Sequence, residues 1–318
     1  MIRGMLSELN RRGFLGGVGA AAIFGANAGT LLAQSTMAPG LAITIDDFDL
    51  ANSPLMSGEV RDAAIRECLK RHGVQAAGFV SGKFIDPELA PRILRGWSDE
   101  GHVIGNHTFS HAYFSGADPA GFMEDVLVCE PLLSGYASFQ KLFRFPYLAE
   151  GRTAEGRDTM RGLLAGHGYR NAHVTIDTSD WFVDNRLRAR LKDDLGADLA
   201  PYRQFYLDHL WERASYYDGL ANALFGHSIN HTILLHHRLT TALFLSDAIQ
   251  MFRERGWRII DADMAFRSAE FELVPQALPA GQSLLWALAK TDPQLATGLR
   301  YPGEDGKYEA PKMDALGI

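Results

Sequence analysis

The sequence predicts an α/β fold with a mainly parallel sheet, and two observations support this. Four helical patterns each end in a glycine and lead within a few residues into a short apolar run: CLKRHGVQAAGFV, WSDEGHVIGNH, LLAGHGYRNAHVTI and FRERGWRIID. Glycine is favoured just past a helix end, where a positive φ is needed, so these segments indicate helices that feed strands. In most of these runs, residues on both faces of the strand are apolar. This pattern is typical of the strands of a parallel sheet that is covered by helices on both sides.

The predicted strands lie at seven places along the chain. They run near 41–45, 76–80, 102–105, 141–145, 172–176, 232–236 and 257–261. Hydrophobic residues make up 47% of the 318 residues, which is enough for a substantial core. The alternation of helix and strand therefore predicts one main domain with helices packed on the sheet.

The stretch from Trp181 to His231 is too long for a simple crossover, and it predicts a helical insertion over 185–228, between the fifth and sixth strands. It contains four large aromatic residues: Tyr202, Phe205, Tyr206 and Trp211. Two interpretations stay open, a cap whose aromatics wall a substrate groove, or helices outside the sheet with the aromatics packed inward. Residues 267–318 are expected to form a C-terminal extension and not a second domain.

Residues 1–33 have the pattern of a twin-arginine-type export signal. Arg11 and Arg12 precede a Phe-Leu pair and a weakly apolar run, GGVGAAAIFGANAGTLLA, that ends near small residues. Gly and Asn interrupt this run, so a stable membrane-spanning helix is disfavoured. The pattern predicts a bacterial protein that is exported to the periplasm or beyond, with no membrane span after signal cleavage.

Charge and cysteine content exclude two classes of function. The formal net charge is −7 and no cluster of Lys and Arg is present, which argues against a nucleic-acid partner. The two cysteines, Cys68 and Cys129, have no CxxC spacing, which excludes a structural thiolate-zinc site. Cys68 falls on an apolar helical face and is predicted to be a small buried hydrophobe. A disulfide between the two stays open, since sequence does not place their Cα atoms.

Polar residues cluster at the carboxyl ends of five predicted strands. The first strand ends in Asp46 and Asp47, and the third leads into GNHTFSH. The fourth ends in FRFPY, the fifth leads into IDTSDW, and the sixth ends in ILLHH. In parallel α/β sheets this end is where loops converge and active sites form. We therefore expect these five groups to build one site.

The third-strand group contains a candidate metal-binding pair, His107 and His111. Their spacing of four would put both imidazoles on one side of a helical turn, and an Asp oxygen would complete a His₂-carboxylate set with a position open for water. His227 and His231 have the same spacing and are rivals. The first pair is favoured because it directly follows a short apolar strand, whereas the second pair precedes one.

These groups, in this order, resemble the five motifs of the polysaccharide deacetylase family, the NodB-homology group or carbohydrate esterase family 4. The motifs are Thr44-Ile-Asp46-Asp47, His107-Thr-Phe-Ser-His111, Arg144-Phe-Pro146-Tyr147, Asp177-Thr-Ser-Asp180-Trp181 and Leu234-Leu-His236. The resemblance covers roughly residues 41–265 and places a catalytic domain at 38–266. It implies a distorted (β/α) barrel of about seven strands and metal-dependent removal of N-acetyl or O-acetyl groups from sugars.

The resemblance also implies a role for each motif residue. Asp46 would be the general base, oriented by Arg144, and His236 the general acid, tuned by Asp180. The implied ligands of a divalent metal, usually Zn²⁺, are Asp47, His107 and His111. The implied substrate-binding residues are Tyr147, through its backbone N–H, Trp181 and Pro146. Amide hydrolysis needs an activated water, a site for the negative oxygen and a proton for the amine, and these groups would supply all three.

Two positions depart from the family pattern. Phe48 stands where the family usually has Gly, and we expect its ring at the mouth of the site as a substrate contact. His237-Arg238 follows the motif histidine, where Asp is common. Three functions stay open: deacetylation of an extracellular or cell-envelope glycan, most often at N-acetyl; hydrolysis of a small-molecule C–N amide; and non-catalytic glycan binding. The complete set of base, ligand and acid positions favours the first.

Overall fold

The computed structural model describes residues 38–303 and 306–318, and the predicted export signal over 1–33 lies outside them. The strands are β1 (Gly40–Asp47), β2 (Ala77–Val80), β3 (Val103–Asn106), β4 (Phe139–Phe143), β5 (Ala149–Gly151), β6 (Arg170–Asn171), β7 (Asn230–His236), β8 (Arg258–Ile259) and β9 (Ala280–Gly281). The helices are α1 (Gly58–His72), α2 (Ala90–Asp99), α3 (Pro119–Leu133), α4 (Ala154–Gly166), α5 (Asp180–Asp193), α6 (Ala200–Phe225), α7 (Leu239–Glu254), α8 (Ala262–Phe266), α9 (Leu284–Ala289) and α10 (Ala310–Leu316).

Seven strands form one curled parallel sheet. Their order is β6-β4-β3-β2-β1-β7, with β8 pairing at the start of β1, and every pair is parallel. A parallel bridge between Ile176 and Ile233 joins the segment after β6 to β7, so the sheet curls most of the way into a barrel. This confirms the predicted α/β class and the distorted barrel of about seven parallel strands.

The predicted fifth strand, 172–176, is the main error in the strand assignment. The structure has only the two-residue β6 just before it, and Ile176 makes an isolated bridge. Threonine side chains account for the difference because they take the place of ladder hydrogen bonds. The N–H of Thr232 donates to Oγ1 of Thr175 at 2.9 Å, and Oγ1 of Thr232 donates to the carbonyl of His173 at 2.8 Å.

The predicted helix ends are confirmed. The four glycines have φ values from 65° to 82°, at Gly73, Gly101, Gly168 and Gly256. At the end of α1 the N–H of Gly73 donates back to the carbonyls of Leu69 and Lys70. A side chain at such a φ is strained, so glycine ends the helix and turns the chain toward the next strand.

The helical insertion consists mainly of α5 and α6, and its aromatic residues pack inward. Tyr206 is fully buried with its ring centroid 5.8 Å from that of Phe244 on α7, and Trp211 lies 6.1 Å from Phe252. Tyr202 and Phe205 are buried in the same core, and none of the four lines the cavity described below. Of the two open interpretations, the structure therefore supports packing outside the sheet.

The described residues of the C-terminal segment belong to the same compact unit as the barrel. Strand β9 pairs with β5 in a small antiparallel sheet. Arg213 of α6 donates to the carbonyl of Tyr301 at 3.1 Å and to the carboxylate of Glu309 at 2.7 Å. These contacts hold the extension against the barrel, while its boundary at 266/267 stays a prediction.

Two further predictions concern the cysteines and the possibility of a membrane-spanning helix. Cys68 and Cys129 are both buried and free, so Cys68 packs as a small hydrophobe as predicted. Within 38–303 and 306–318, no helix combines the length and the apolar character that crossing a membrane requires.

Candidate active site

The carboxyl ends of the parallel strands surround a cavity of about 290 Å³. The register of the sheet places Asp46 of β1 directly opposite His236 of β7. The predicted site residues that line the cavity are Asp46, Asp47, His107, His111, Tyr147, Trp181 and His236. Each of the sequence groups at the strand ends therefore contributes at least one lining residue.

Asp47, His107 and His111 form a cluster with the geometry of a metal site. Their candidate ligand atoms all lie within 4.8 Å of one another. Nε2 of His107 lies 3.6 Å and Nε2 of His111 3.1 Å from Oδ1 of Asp47, yet this buried oxygen makes no hydrogen bond. A buried carboxylate oxygen without a donor is costly unless a cation compensates it, so the three residues fit a divalent ion.

The environment of His107 also suits a ligand. Nδ1 of His107 lies 2.8 Å from the carbonyl oxygen of Arg144, which makes it the N–H donor and leaves the lone pair of Nε2 toward Asp47. Burial lowers the pKa of His107 to about 3, so the imidazole is neutral, the form that binds metal. Burial alone would raise the pKa of Asp47, but the imidazoles of His111 and His236 outweigh it and hold that pKa well below its usual range.

The helical turn predicted for His107 and His111 is wrong. Residues 107–111 form a loop in which Thr108 and His111 have φ values of 64° and 55°. Two side chains hold this loop: Oδ1 of Asn106 accepts the N–H of Thr108, and Oγ1 of Thr108 accepts the N–H of His111, both at 2.9 Å. The imidazoles converge because these local bonds fix an irregular backbone, and not because of helical periodicity.

Asp46 is buried beside Arg144. The guanidinium donates through Nη1 to Oδ1 of Asp46 at 3.0 Å and to Oγ1 of Thr44 at 2.9 Å, and through Nε to the carbonyl of Ala172 at 2.8 Å. Burial raises the pKa of Asp46 to about 6 although the guanidinium opposes the shift. Asp46 is thus a carboxylate that titrates near neutral pH, which is what a general base requires.

His236 is fixed by both oxygens of a fully buried Asp180. Nδ1 of His236 lies 2.7 Å from Oδ1 of Asp180, and the backbone N–H of His236 donates to Oδ2 at 2.7 Å. Burial would lower the pKa of His236, but the charge and hydrogen bond of Asp180 outweigh it and raise the pKa to about 9. The imidazole is therefore protonated at neutral pH, and His236 lines the cavity.

Comparison with known proteins identifies the domain. Residues 33–172 match the family model for polysaccharide deacetylase. This region, less than half of the chain, thus matches a polysaccharide deacetylase domain. A peptidoglycan-N-acetylglucosamine deacetylase from Bacillus cereus is 29% identical over 143 residues, 44% of this chain and 46% of the relative. A chitin deacetylase from Colletotrichum lindemuthianum is 28% identical over 194 residues, 57% of this chain and 71% of the relative. The match thus spans about half the length of the bacterial relative.

Solved structures show the same fold. The polysaccharide deacetylase Bc1974 from Bacillus cereus aligns with a TM-score of 0.50 at 18% identity, over 71% of this chain and 91% of that one. BA3943 from Bacillus anthracis, a carbohydrate esterase family 4 pseudoenzyme, also aligns at 0.50, with 16% identity over 73% and 66% of the two chains. At these identities the likeness concerns the fold alone, and it agrees with the curled parallel sheet of the deacetylase domain.

Two predicted substrate contacts of the deacetylase domain are corrected by the structure. Phe48 is fully buried, and its ring packs 4.8 Å from Trp97 and stacks 5.2 Å from His237. Its ring points into the core because Asp47 and Phe48 both have positive φ, which turns the chain as it leaves β1. Pro146 is buried and does not line the cavity, since it starts a short 3₁₀ turn.

Tyr147 and Trp181 lie at the cavity as predicted. Tyr147 is half exposed, its ring lies 4.8 Å from that of His111, and its φ is 57°. Trp181 donates through Nε1 to the carbonyl of Gly303 at 2.9 Å. Both side chains therefore form walls of the cavity.

Sequence reasoning missed five residues that line the cavity: Phe84, Leu148, Asn185, Arg238 and Gly303. Arg238 was noticed only as a departure from the family pattern. Gly303 comes from the C-terminal extension, and its N–H donates to Oδ2 of Asp177 at 2.8 Å. A Cβ at position 303 would lie 2.5 Å from Oδ1 of Asp177, so only glycine allows this approach. No local pattern signals a contact between residues so far apart in sequence.

Proposed function

We propose that this protein is an exported, metal-dependent hydrolase that removes acetyl groups, chiefly N-acetyl, from an extracellular or cell-envelope glycan. The observation that carries the proposal is that three groups meet at one cavity. They are the His₂-carboxylate set, a buried carboxylate that is hydrogen-bonded to an arginine, and a histidine that is hydrogen-bonded to a buried aspartate. The names of the peptidoglycan and chitin deacetylase relatives support the glycan substrate. The twin arginines at Arg11 and Arg12 support export.

Asp47, His107 and His111 are the residues that would hold the metal. Two imidazoles and one carboxylate suit Zn²⁺, and the set leaves room for water and substrate. Bound there, a divalent cation would polarise the acetyl carbonyl and lower the pKa of a water molecule.

The protein's own groups would move the protons. Asp46, held by Arg144, takes a proton from the attacking water, and it is ionised above a pKa of about 6. His236, held by Asp180, gives a proton to the nitrogen that leaves, and it stays protonated below a pKa of about 9. The products are acetate and a free amine on the sugar. Both groups are in their working state between these two values, which spans neutral pH.

The walls of the cavity would select the acetyl group. Tyr147 and Trp181 contribute aromatic surface to the lining, and Leu234 adds an apolar side chain. Aromatic rings pack well on the apolar faces of sugars and on a methyl group. We assign Tyr147 and Trp181 to substrate binding on this basis.

The test is acetate release by the full-length protein from acetylated chitin oligosaccharides, peptidoglycan fragments and small N-acetyl amines, with and without chelator and added Zn²⁺. Release from a glycan that stops with chelator and returns with Zn²⁺ is expected. Release only from a small amide would overturn the glycan assignment, and glycan binding without acetate release would overturn the hydrolase assignment. Fractionation of bacteria that produce the chain tests its location.

Two substitutions separate metal binding from proton transfer. His107→Ala should abolish zinc binding and activity, because it removes a ligand. Asp46→Asn should keep zinc binding and lower turnover by at least about 100-fold, because it removes the base. His227→Ala is the matched control, since this exposed histidine belongs to the rival pair and lies away from the cavity. Normal acetate release by the Asp46→Asn variant would contradict the assignment of the base.

A further inference from the structure

Arg238 is a cavity residue whose contacts have no role in the reaction proposed above. Its Nη2 donates to Oδ2 of Asp47 at 3.2 Å, and its Nη1 donates to Oδ2 of Asp49 at 3.1 Å. The side chain is 21% exposed and lies at the start of α7, two residues after His236. One guanidinium thus bridges the carboxylate that faces the two imidazoles and a second carboxylate outside that set.

The second carboxylate is itself fixed by the backbone. Oδ1 of Asp49 accepts the N–H of Ala51 at 2.9 Å, so Oδ2 is left for Arg238. Asp47, by contrast, is the last residue of β1 and has a φ of 77°. Its carboxylate therefore depends on side-chain contacts, and not on a regular ladder, for its orientation.

We propose that Arg238, anchored by Asp49, is a positioning residue that turns the Asp47 carboxylate so that Oδ1 faces the metal site. The two oxygens of Asp47 divide accordingly: Oδ2 meets the guanidinium, while Oδ1 faces His107 and His111 and makes no hydrogen bond. This inference rests on the proposed metal site and adds to it a support that the family motifs do not include.

Orientation and charge predict opposite effects of removing Arg238. A guanidinium next to a ligand carboxylate repels a cation, so by charge alone its loss should tighten metal binding. A partner that orients a ligand strengthens binding, and its loss typically weakens metal affinity by about 10–100-fold. The sign of the change in dissociation constant therefore decides between the two effects.

The test measures the zinc dissociation constant of the metal-free full-length protein by competition with a chromophoric chelator. Arg238→Met removes the charge and the hydrogen bonds but keeps an unbranched apolar chain in place of the stem of the arginine. Arg238→Lys keeps the charge but has no fork with which to bridge two carboxylates. Arg203→Met is the matched control, since Arg203 forms a two-bond pair with Asp247, at 2.7 and 2.5 Å, away from the cavity.

We expect both Arg238 variants to bind zinc about 10–100-fold more weakly than the wild type, and the Arg203 variant to bind it equally well. Asp49→Asn should weaken binding in the wild type but add little to Arg238→Met, because the two act as one unit. Circular dichroism and thermal unfolding of the metal-free proteins show whether each variant is folded. If Arg238→Met does not fold, the result for Arg238→Lys decides the test.

Suppose that the wild type binds zinc and that the folded Arg238→Lys and Arg238→Met variants bind it equally well or more tightly. This result would overturn the inference about Arg238 and leave the proposed function standing. A wild type that binds no zinc would overturn the proposed metal site and this inference with it. The two failures are therefore distinguishable in one set of titrations.

Discussion

The pairing of His236 with Asp180 leads to a specific prediction about pH dependence. Asp180→Asn keeps the shape of the side chain and an oxygen that accepts a hydrogen bond from Nδ1, but it removes the negative charge and the acceptor for the backbone N–H of His236. In the wild type, that charge outweighs burial and raises the pKa of His236 to about 9. Without it only the charges of Asp47 and Asp46 oppose burial, so the pKa of His236 should fall toward its ordinary value of 6.5.

The size of the effect follows from the two pKa values. At pH 8 a histidine with a pKa of about 9 is about 90% protonated, whereas one with a pKa of 6.5 is only about 3% protonated, a ratio of about 30. At pH 6 both are mostly protonated, and the ratio is below about 2. The loss of proton-donor function in the variant should therefore be small in acid and should rise to as much as about 30-fold at pH 8.

The assay is the pH profile of kcat/KM for acetate release by wild type and variant. The alkaline limb of the profile should move toward lower pH in the variant, while the acid limb, which belongs to Asp46, stays in place. Asp218→Asn is the matched control, because Asp218 pairs with His231 at 3.2 Å at the other end of β7. A uniform loss of activity with an unmoved alkaline limb would refute the role of Asp180 in tuning the acid.

Two further predictions concern the cavity wall and the core. Gly303→Ala should raise KM several-fold in acetate-release kinetics, because its Cβ would lie 2.5 Å from Asp177 and displace the wall. Gly298→Ala, which meets nothing within 4 Å, is the control, and equal KM values would show that this wall does not touch substrate. Phe48→Ala should lower the free energy of unfolding by about 3–5 kcal/mol in urea titrations, with an unchanged KM in the folded protein. A changed KM without a loss of stability would show that Phe48 contacts the substrate, as the sequence analysis predicted.

The sequence predicted the convergence of the motifs because that depends on strand direction alone. Parallel strands carry their carboxyl ends to one edge whatever the details of the loops, while the pairing that puts Asp46 opposite His236 depends on the strand order, which the structure shows. Helix ends were equally predictable, since a glycine with positive φ is a local requirement. These features need only the residues next to them and the rules of parallel sheets.

Sequence patterns failed where the backbone leaves regular structure. The alternation of side chains along a strand cannot place Phe48, because positive φ at Asp47 and Phe48 ends that alternation. The loop that carries His107 and His111 is fixed by side-chain hydrogen bonds and not by a helical period. Gly303 reaches the cavity through contacts made across the whole chain, for which no local pattern exists.

The adjacent carboxylates of β1 show how this irregularity serves the site. In a regular strand Asp46 and Asp47 would point to opposite faces, yet both line one cavity. The φ of 77° at Asp47 accounts for this, since it turns the second carboxylate back toward the first. Burial raises the pKa of Asp46 to about 6, while Asp47, which is equally buried, is held ionised by the imidazoles around it. Neighbours with separated pKa values can take separate roles, so one strand end offers the proposed base, which titrates, and the proposed metal ligand, which stays ionised.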